Sequence, residues 1–386
     1  MDGHLTKSEL ADLHSLRRDF HRHPELGFQE HRTAGIVAKY LTGLGLEVQT
    51  GVGRTGVVGL LRRPKADRVL AIRADMDALP VQEVAGREYG SETAGIMHAC
   101  GHDGHTATLL AAMSALRREP PPGSVKAIFQ PAEEGLGGAS AMIADGVLEN
   151  PKVDNTLALH YWASLPTGKI AVKPGPMMAS ADEFYLTIKG KGGHAAAPHE
   201  TIDPLHCAAQ LVTALQALVS RQTDPLLPVV VTVGEFHAGT AFNVIPGEAK
   251  LSGTVRTLDE ALWEEIPERL EKVVAGVCAA FACEYELDYR RVNVPTVNDE
   301  VMAAMVREVA VELVGEENIV EEMTMGSEDM SDMMVLAPGC YVFVGCGSEA
   351  KGITAPHHHP EFDLDEDALP IGAELLFRTA RRYFGE

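Results

Sequence analysis

Apolar and polar residues follow two rhythms along the first 175 residues of the chain. Residues 8–22 (SELADLHSLRRDFHR) and 31–45 (HRTAGIVAKYLTGLG) carry the stripe of an amphipathic helix, whereas 68–75 (RVLAIRAD) is the short apolar run of a buried strand. Residues 104–119 (GHTATLLAAMSALRRE) predict a helix stopped by the prolines at 120–122. A strand at 124–130 (SVKAIFQ), a helix near 137–146 and a strand at 154–160 (DNTLALH) follow. This alternation predicts an α/β fold, a mostly parallel sheet with helices on both faces.

Near Ser180 the pattern changes. A strand at 182–190 precedes a helix that Asp203 caps and Pro204 opens, running through 205–221. Strands follow at 227–239 and 247–258. The next helix carries Trp263, Ile266, Leu270, Val273, Val277 and Phe281 on one face, with Pro267 kinking it or marking a late start. A strand at 284–291 closes the block. Strand-helix-strand-strand-helix-strand predicts an inserted α+β, ferredoxin-like domain at 180–294, leaving a discontinuous outer domain of 1–179 and 295–386.

Composition narrows the partners. Thirty-three basic against 55 acidic residues give a net charge of −22, which argues against nucleic acid and anionic membrane surfaces. No apolar run approaches the roughly 18 residues of a membrane span. The opening MDGHLTKSEL shows no export signal, and six scattered cysteines form no disulfide framework, so a cytoplasmic protein is expected.

The chemistry gathers where strands should end. In HACGHDGHTA (98–107), Cys100 and His102 are two residues apart. On a helix they would diverge by about 200°, while on extended chain they face the same way. The pair is therefore expected on extended chain before a helix that starts at Gly104, at the carboxyl end of a strand, where open α/β sheets form their crevice. Alone, it reads more readily as a buried cysteine beside capping histidines, and the other sites change that. FQPAEEG offers Glu133 and Glu134 after the strand 124–130; adjacent side chains cannot both face one point, so one suits a cation and the other the open position beside it. His160 ends the strand 154–160, and His358 in TAPHHHPEF closes the set from far along the chain. Histidine, carboxylate and thiolate together suit Zn²⁺, Co²⁺, Ni²⁺ or Mn²⁺ better than Mg²⁺ or Ca²⁺. Five candidate ligands exceed the set for one catalytic ion. Two ions sharing a water would lower its pKa toward roughly 7 and polarise a carbonyl, the requirements of acyl-bond hydrolysis.

Taken in order, RRDFHRHPELGFQE, LAIRADMDALPVQE, HACGHDGHTA, QPAEEG, GKGGHAAAPH, FNVIPGEAKLSGTVRT, MGSEDM and HHHPEF give a chain that resembles, over essentially its full length, the dinuclear-metal aminoacylase/carboxypeptidase family of amidohydrolases. The likeness is to its hippurate hydrolase and indole-acetyl-amino-acid hydrolase branch. It implies a zinc-exopeptidase-like catalytic domain and an inserted lid and dimerisation domain. Cys100, His102, Glu134, His160 and His358 are implied as ligands of two divalent ions per subunit (Mn²⁺, Zn²⁺, Ni²⁺ or Co²⁺). Glu133 is implied as general base and Asp77 as a carboxylate behind the ligands. Wider relatives carry a ligand histidine where this chain has Asp75, a place the Cys-x-His pair is expected to fill. His98, His105, His357 and His359 default to structural roles.

His194 is implied in polarising the scissile carbonyl, often from a partner subunit, and Asn243 and Arg256 in binding substrate. Arg256 otherwise reads as a strand-edge salt-bridge partner. HRHPELGF reads as structural, and Glu328 and Asp329 either line the crevice or cap the helix that follows. The implied protein is a homodimer or dimer-based tetramer that hydrolyses small N-acyl-amino acids. Deacetylation of N-acetyl-diamino acids, dipeptide cleavage and a non-catalytic binding protein are the alternatives. The last would be marked by loss of Glu133 or a ligand, and none is lost.

Overall fold

Strand β3 (Val69–Asp75) is buried along its whole length, and it organises the larger part of the molecule. The computed structural model describes residues 3–64 and 67–386. They fall into two units: one of residues up to Gly175 with Val297–Glu322 and Asp329–Glu386, the other of Pro176–Thr296 with Met323–Glu328. The second unit thus gains a segment, 323–328, that sequence reading left with the outer domain. Backbone bonds from Thr324 N to Met177 O (3.0 Å) and from Ala179 N to Gly326 O (2.8 Å) tie it there.

In the first unit, β1 (Glu47–Val52), β2 (Gly56–Leu61), β3, β4 (Ser124–Gln130), β5 (Asn155–Pro166), β6 (Ile170–Ala171), β15 (Ile319–Val320) and β16 (Gly339–Gly347) form one sheet. Its order is β1-β2-β4-β3-β5-β16-β6-β15. The central four, β4, β3, β5 and β16, run parallel, and β2 runs antiparallel to both its neighbours. Successive side chains of β3 take opposite faces. Leu70, Ile72 and Ala74 enter a core with helices α1 (Lys7–Arg22), α2 (His31–Gly43), α3 (His102–Arg118), α7 (Glu300–Val314) and α9 (Ala368–Tyr383). Arg73 points the other way, where α4 (Gly138–Ala144) and α8 (Met330–Leu336) lie; its Nη2 meets Asp329 Oδ1 at 3.0 Å, and Asp329 Oδ2 accepts from Ala139 N at 2.9 Å. Asp329 makes no side-chain capping bond to α8, so its carboxylate serves as a buried link between α4, α8 and the sheet.

Short strands β7 (Gly175–Met178) and β14 (Thr296–Asn298) mark two of the chain's four passages between the units. The second unit holds β8 (Ala181–Lys189), β9 (Gly193–His194), α5 (Pro204–Ser220), β10 (Val229–Ala238), β11 (Val244–Ile245), β12 (Glu248–Thr257), α6 (Glu260–Ala280) and β13 (Glu284–Asn293). Its antiparallel sheet, ordered β10-β12-β8-β13, packs Phe184, Leu186 and Ile188 against Leu211 and Leu215 of α5 and Leu270 and Val274 of α6. Asp203 caps α5 through Leu205 N and His206 N. Helix α6 starts at Glu260 and runs through Pro267. Proline cannot donate to the carbonyl of Trp263, and Arg291 Nη2 takes that oxygen at 3.4 Å. Among the described residues no helix is long and apolar enough to cross a membrane.

Candidate metal centre and active site

Three strands and two further segments deliver the site. Asp75 ends β3 with Asp77 just beyond, Glu133 and Glu134 follow β4, and His160 lies on β5 two residues past its last pairing with β3, at Ala158. His160 does not end its strand, because β5 continues to Pro166 against β16. The helix after Cys100 also begins earlier than expected, at His102, behind Gly101 in the left-handed region (φ 91°). That turn, which glycine adopts without penalty, brings Cys100 and His102 together across the helix start. His358 arrives on a loop, with φ 65° and its N–H donated to Ala99 O at 2.8 Å.

These side chains form overlapping groups. Ligand atoms of Cys100, His102 and His160 lie within 4.8 Å of one another, as do those of Cys100, Glu134 and His358, and those of His102, Glu133 and Glu134. The five expected ligands and Glu133 thus make one continuous cluster. Asp77 stands behind it: its carbonyl accepts from His102 Nδ1 at 2.9 Å, and its Oδ2 accepts from Glu134 N at 3.1 Å. His105 belongs to the scaffold, since Nδ1 bonds Asp75 at 2.6 Å and Nε2 accepts from Tyr161 N at 3.0 Å. Asp75, gripped by His105 and by Arg73 Nη1 at 2.6 Å, is neutralised by protein groups. His357 donates to Tyr161 O at 2.9 Å.

The cluster fits a cation. His102 gives its Nδ1 proton to Asp77 O, which leaves the lone pair on Nε2, a buried atom with no hydrogen-bond partner. His160 donates Nδ1–H to Tyr161 O at 2.8 Å, which turns its Nε2 to Cys100 Sγ at 3.4 Å. Both imidazoles have the tautomer a metal ligand needs, fixed by an outer partner. Glu134 Oε1 is also buried without a hydrogen bond, 3.3 Å from His358 Nε2. Electrostatics agree. Burial and Glu134 push the Cys100 thiol up, and Cys100 and Glu134 lift His358 to about 10. At His102 burial opposes protonation, but Asp75, Asp77 and Cys100 together outweigh it and hold the imidazole well above its usual range. Protein alone, the cluster attracts protons where a divalent ion would otherwise balance its carboxylates.

In the second unit His194 is exposed on β9, opposite Val244 of β11, and its Nδ1 accepts from Ala196 N at 3.0 Å. Asn243 precedes β11, and its carbonyl accepts from Ala195 N at 3.1 Å, so these two residues adjoin. Arg256 lies on β12, an inner strand, so the strand-edge reading fails. Its Nη1 reaches the carbonyls of Val255 (3.1 Å) and Asp182 (3.4 Å), and it forms no ion pair among the described residues.

Sequence reading did not find Glu30, whose buried carboxylate grips the turn before Glu133. Nor did it find Asp103, which joins His21 (2.7 Å) and Arg17 (3.0 Å) behind His102. The nearest signal was HRHPELGFQE itself, with its carboxylates and histidines in a short polar stretch.

Residues 71–382 match the model of peptidase family M20/M25/M40. The chain is 41% identical over 370 residues to thermostable carboxypeptidase 2 of Saccharolobus solfataricus, covering 93% of this chain and 92% of that protein. It is 41% identical over 378 residues to the Arabidopsis thaliana IAA-amino acid hydrolase ILR1-like 4, covering 96% and 85%. A Bacillus subtilis crystal structure described as a dinuclear metal-binding peptidase of the M20 family superposes with a TM-score of 0.86 at 34% identity, covering 98% and 99% of the two chains. On this family match and on the cluster at the ends of its parallel strands, the chain belongs to peptidase family M20/M25/M40 and is a metal-dependent hydrolase of amide bonds.

Proposed function

We propose that the chain cleaves N-acyl-amino acids, hippurate-like or N-acetyl, into a carboxylic acid and a free amino acid. The observation that carries this reading is the adjacency of Glu133 to a cluster made of Cys100, His102, Glu134, His160 and His358. Two divalent ions from the set Mn²⁺, Zn²⁺, Ni²⁺ and Co²⁺, when bound, supply a more acidic water and a Lewis acid for the carbonyl. Cys100, His102, Glu134, His160 and His358 hold them, and Asp77 orients His102 and Glu134. Glu133 takes the proton of the attacking water and returns it to the departing amine. His194 donates to the oxygen that becomes negative in the transition state, from the second copy of a dimer. Arg256, a half-buried guanidinium without an ion pair among the described residues, and Asn243 receive the free carboxylate of the amino acid.

Relatives named as an IAA-amino acid hydrolase and a carboxypeptidase support an amino-acid product. All six cysteines are free, which suits the cytoplasm. The test is a panel of N-acyl-amino acids in which the acyl group and the amino acid vary separately, with and without chelator. Chelator-sensitive turnover of that panel supports the reading. Turnover of dipeptides or N-acetyl-diamino acids alone would replace it.

A further inference from the structure

We propose that Glu30 is a positioning residue that, together with Gly27, holds the Glu133–Glu134 turn in its working shape; this rests on the roles given to those two glutamates above. Glu30 is wholly buried, a costly place for a carboxylate unless it is fully bonded. Its Oε1 accepts from Ala132 N (2.9 Å) and Phe28 N (3.0 Å), and its Oε2 from the Thr55 hydroxyl (2.5 Å). Ala132 immediately precedes Glu133 and has φ 54°, a left-handed conformation that a residue with a Cβ keeps only when its surroundings enforce it.

The surroundings do so from three sides. Glu30 holds the N–H. Gly138 N donates to Ala132 O at 3.0 Å, and a Cβ on Gly138 would fall 1.6 Å from Pro131 O. Gly27 lies against the turn so closely that a Cβ there would stand 2.8 Å from Leu136 Cδ1 and 3.1 Å from Ala132 Cα. The same segment reaches the other carboxylate loop, because Ala78 N, next to Asp77, donates to Glu25 O at 2.8 Å. Residues 25–30 therefore clasp both the turn bearing Glu133 and Glu134 and the chain bearing Asp77. A shift at Ala132 would swing two adjacent side chains with opposite duties, one toward the ions and one toward the reacting water.

The experiment compares Glu30→Ala, Glu30→Gln and Gly27→Ala in the Co²⁺-loaded full chain, reading kcat, KM, the visible Co²⁺ absorption and the melting curve. Glu30→Ala should lose roughly 10–100-fold in kcat and change the Co²⁺ spectrum, the range seen when partners behind a ligand are removed. Its KM should move less than about 3-fold, since the turn acts on the chemical step. Glu30→Gln still offers an oxygen to Ala132 N and Phe28 N and should recover most of the loss. A folded Glu30→Ala with the wild-type kcat and spectrum overturns the proposal, and so does a Glu30→Gln as impaired as Glu30→Ala. If Glu30→Ala does not fold, Gly27→Ala decides: the same kcat loss and spectral change support the clasp, and wild-type values overturn it. Glu133→Gln run alongside separates the two claims. Full activity there would remove the base, while the Co²⁺ spectrum of Glu30→Ala would still report whether Glu134 had moved.

Discussion

His160 donates its Nδ1 proton to the carbonyl of Tyr161 at 2.8 Å and so presents Nε2 to Cys100 Sγ at 3.4 Å. A backbone oxygen thus decides which ring nitrogen faces the thiol. Burial, with His105 and His357 nearby, pushes His160 well below its usual range and keeps it neutral, as a ligand must be.

That division of labour extends to the paired glutamates. Glu133→Gln should retain metal and lose on the order of 10²–10⁴ in kcat, the worth of a positioned base. Glu134→Gln should lose metal as well as activity. Metal analysis beside single-turnover rates checks both, and a fully active Glu133→Gln would end the mechanism.

Cys100 should make metal binding sensitive to acid and oxidant. A thiolate ligand competes with protons, so affinity should fall as pH drops, and hydrogen peroxide should inactivate apoprotein faster than holoprotein. Mass spectrometry locates the oxidised sulfur. Equal rates with and without metal, traced to Cys100, would exclude it as a ligand.

The buried charges around Arg17 give a stability prediction with a definite sign. Burial raises the Asp363 carboxyl, but Arg17 (Nη2–Oδ1 2.7 Å) and Arg87 outweigh it and hold it below the usual range. A depressed carboxyl stabilises the fold above its unfolded pKa of about 3.9, and that stability is lost as pH falls through the lower folded value. Asp363→Asn should cost roughly 1–3 kcal/mol at pH 7. The gap to wild type should narrow as pH drops through and below the ordinary carboxylate range. Urea denaturation at several pH values reads this; a gap independent of pH would contradict it.

Complementation tests the placement of His194. His194→Ala and Glu133→Gln should each be nearly inactive. Co-expressed with two tags, their mixed dimers should recover up to about half of wild-type activity, since one of two equivalent sites draws both intact residues. Mixed dimers no better than their parents would assign His194 to its own chain or to no catalytic role.

The parallel sheet and the βαββαβ order were legible because both rest on local periodicity, such as the mostly apolar RVLAIRAD and the alternating DEFYLTIKG. The site's members were legible because their residue types are rare together at strand ends. The start of α3 was misread by two residues, since the extended-chain argument had no way to include a left-handed Gly101. Glu30 and Asp103 escaped, and the link made by Asp329 was not foreseen, because a buried carboxylate is defined by what it touches. Glu30 meets Ala132 and Asp329 meets Arg73, pairs far apart in sequence. No local pattern encodes such a meeting.

Strand β16 pairs with β5 from Gly339↔Thr156 onward, and the whole inserted unit lies between them in sequence. During synthesis β5 is therefore made long before its neighbour exists, while the antiparallel second unit, whose contacts are nearer in sequence, can mature in the interval. For that time an apolar strand waits with one edge open, and an open apolar edge is a template for another chain. Chains interrupted before residue 339 should accumulate as aggregates, and the vulnerable moment in this protein's life is its own translation.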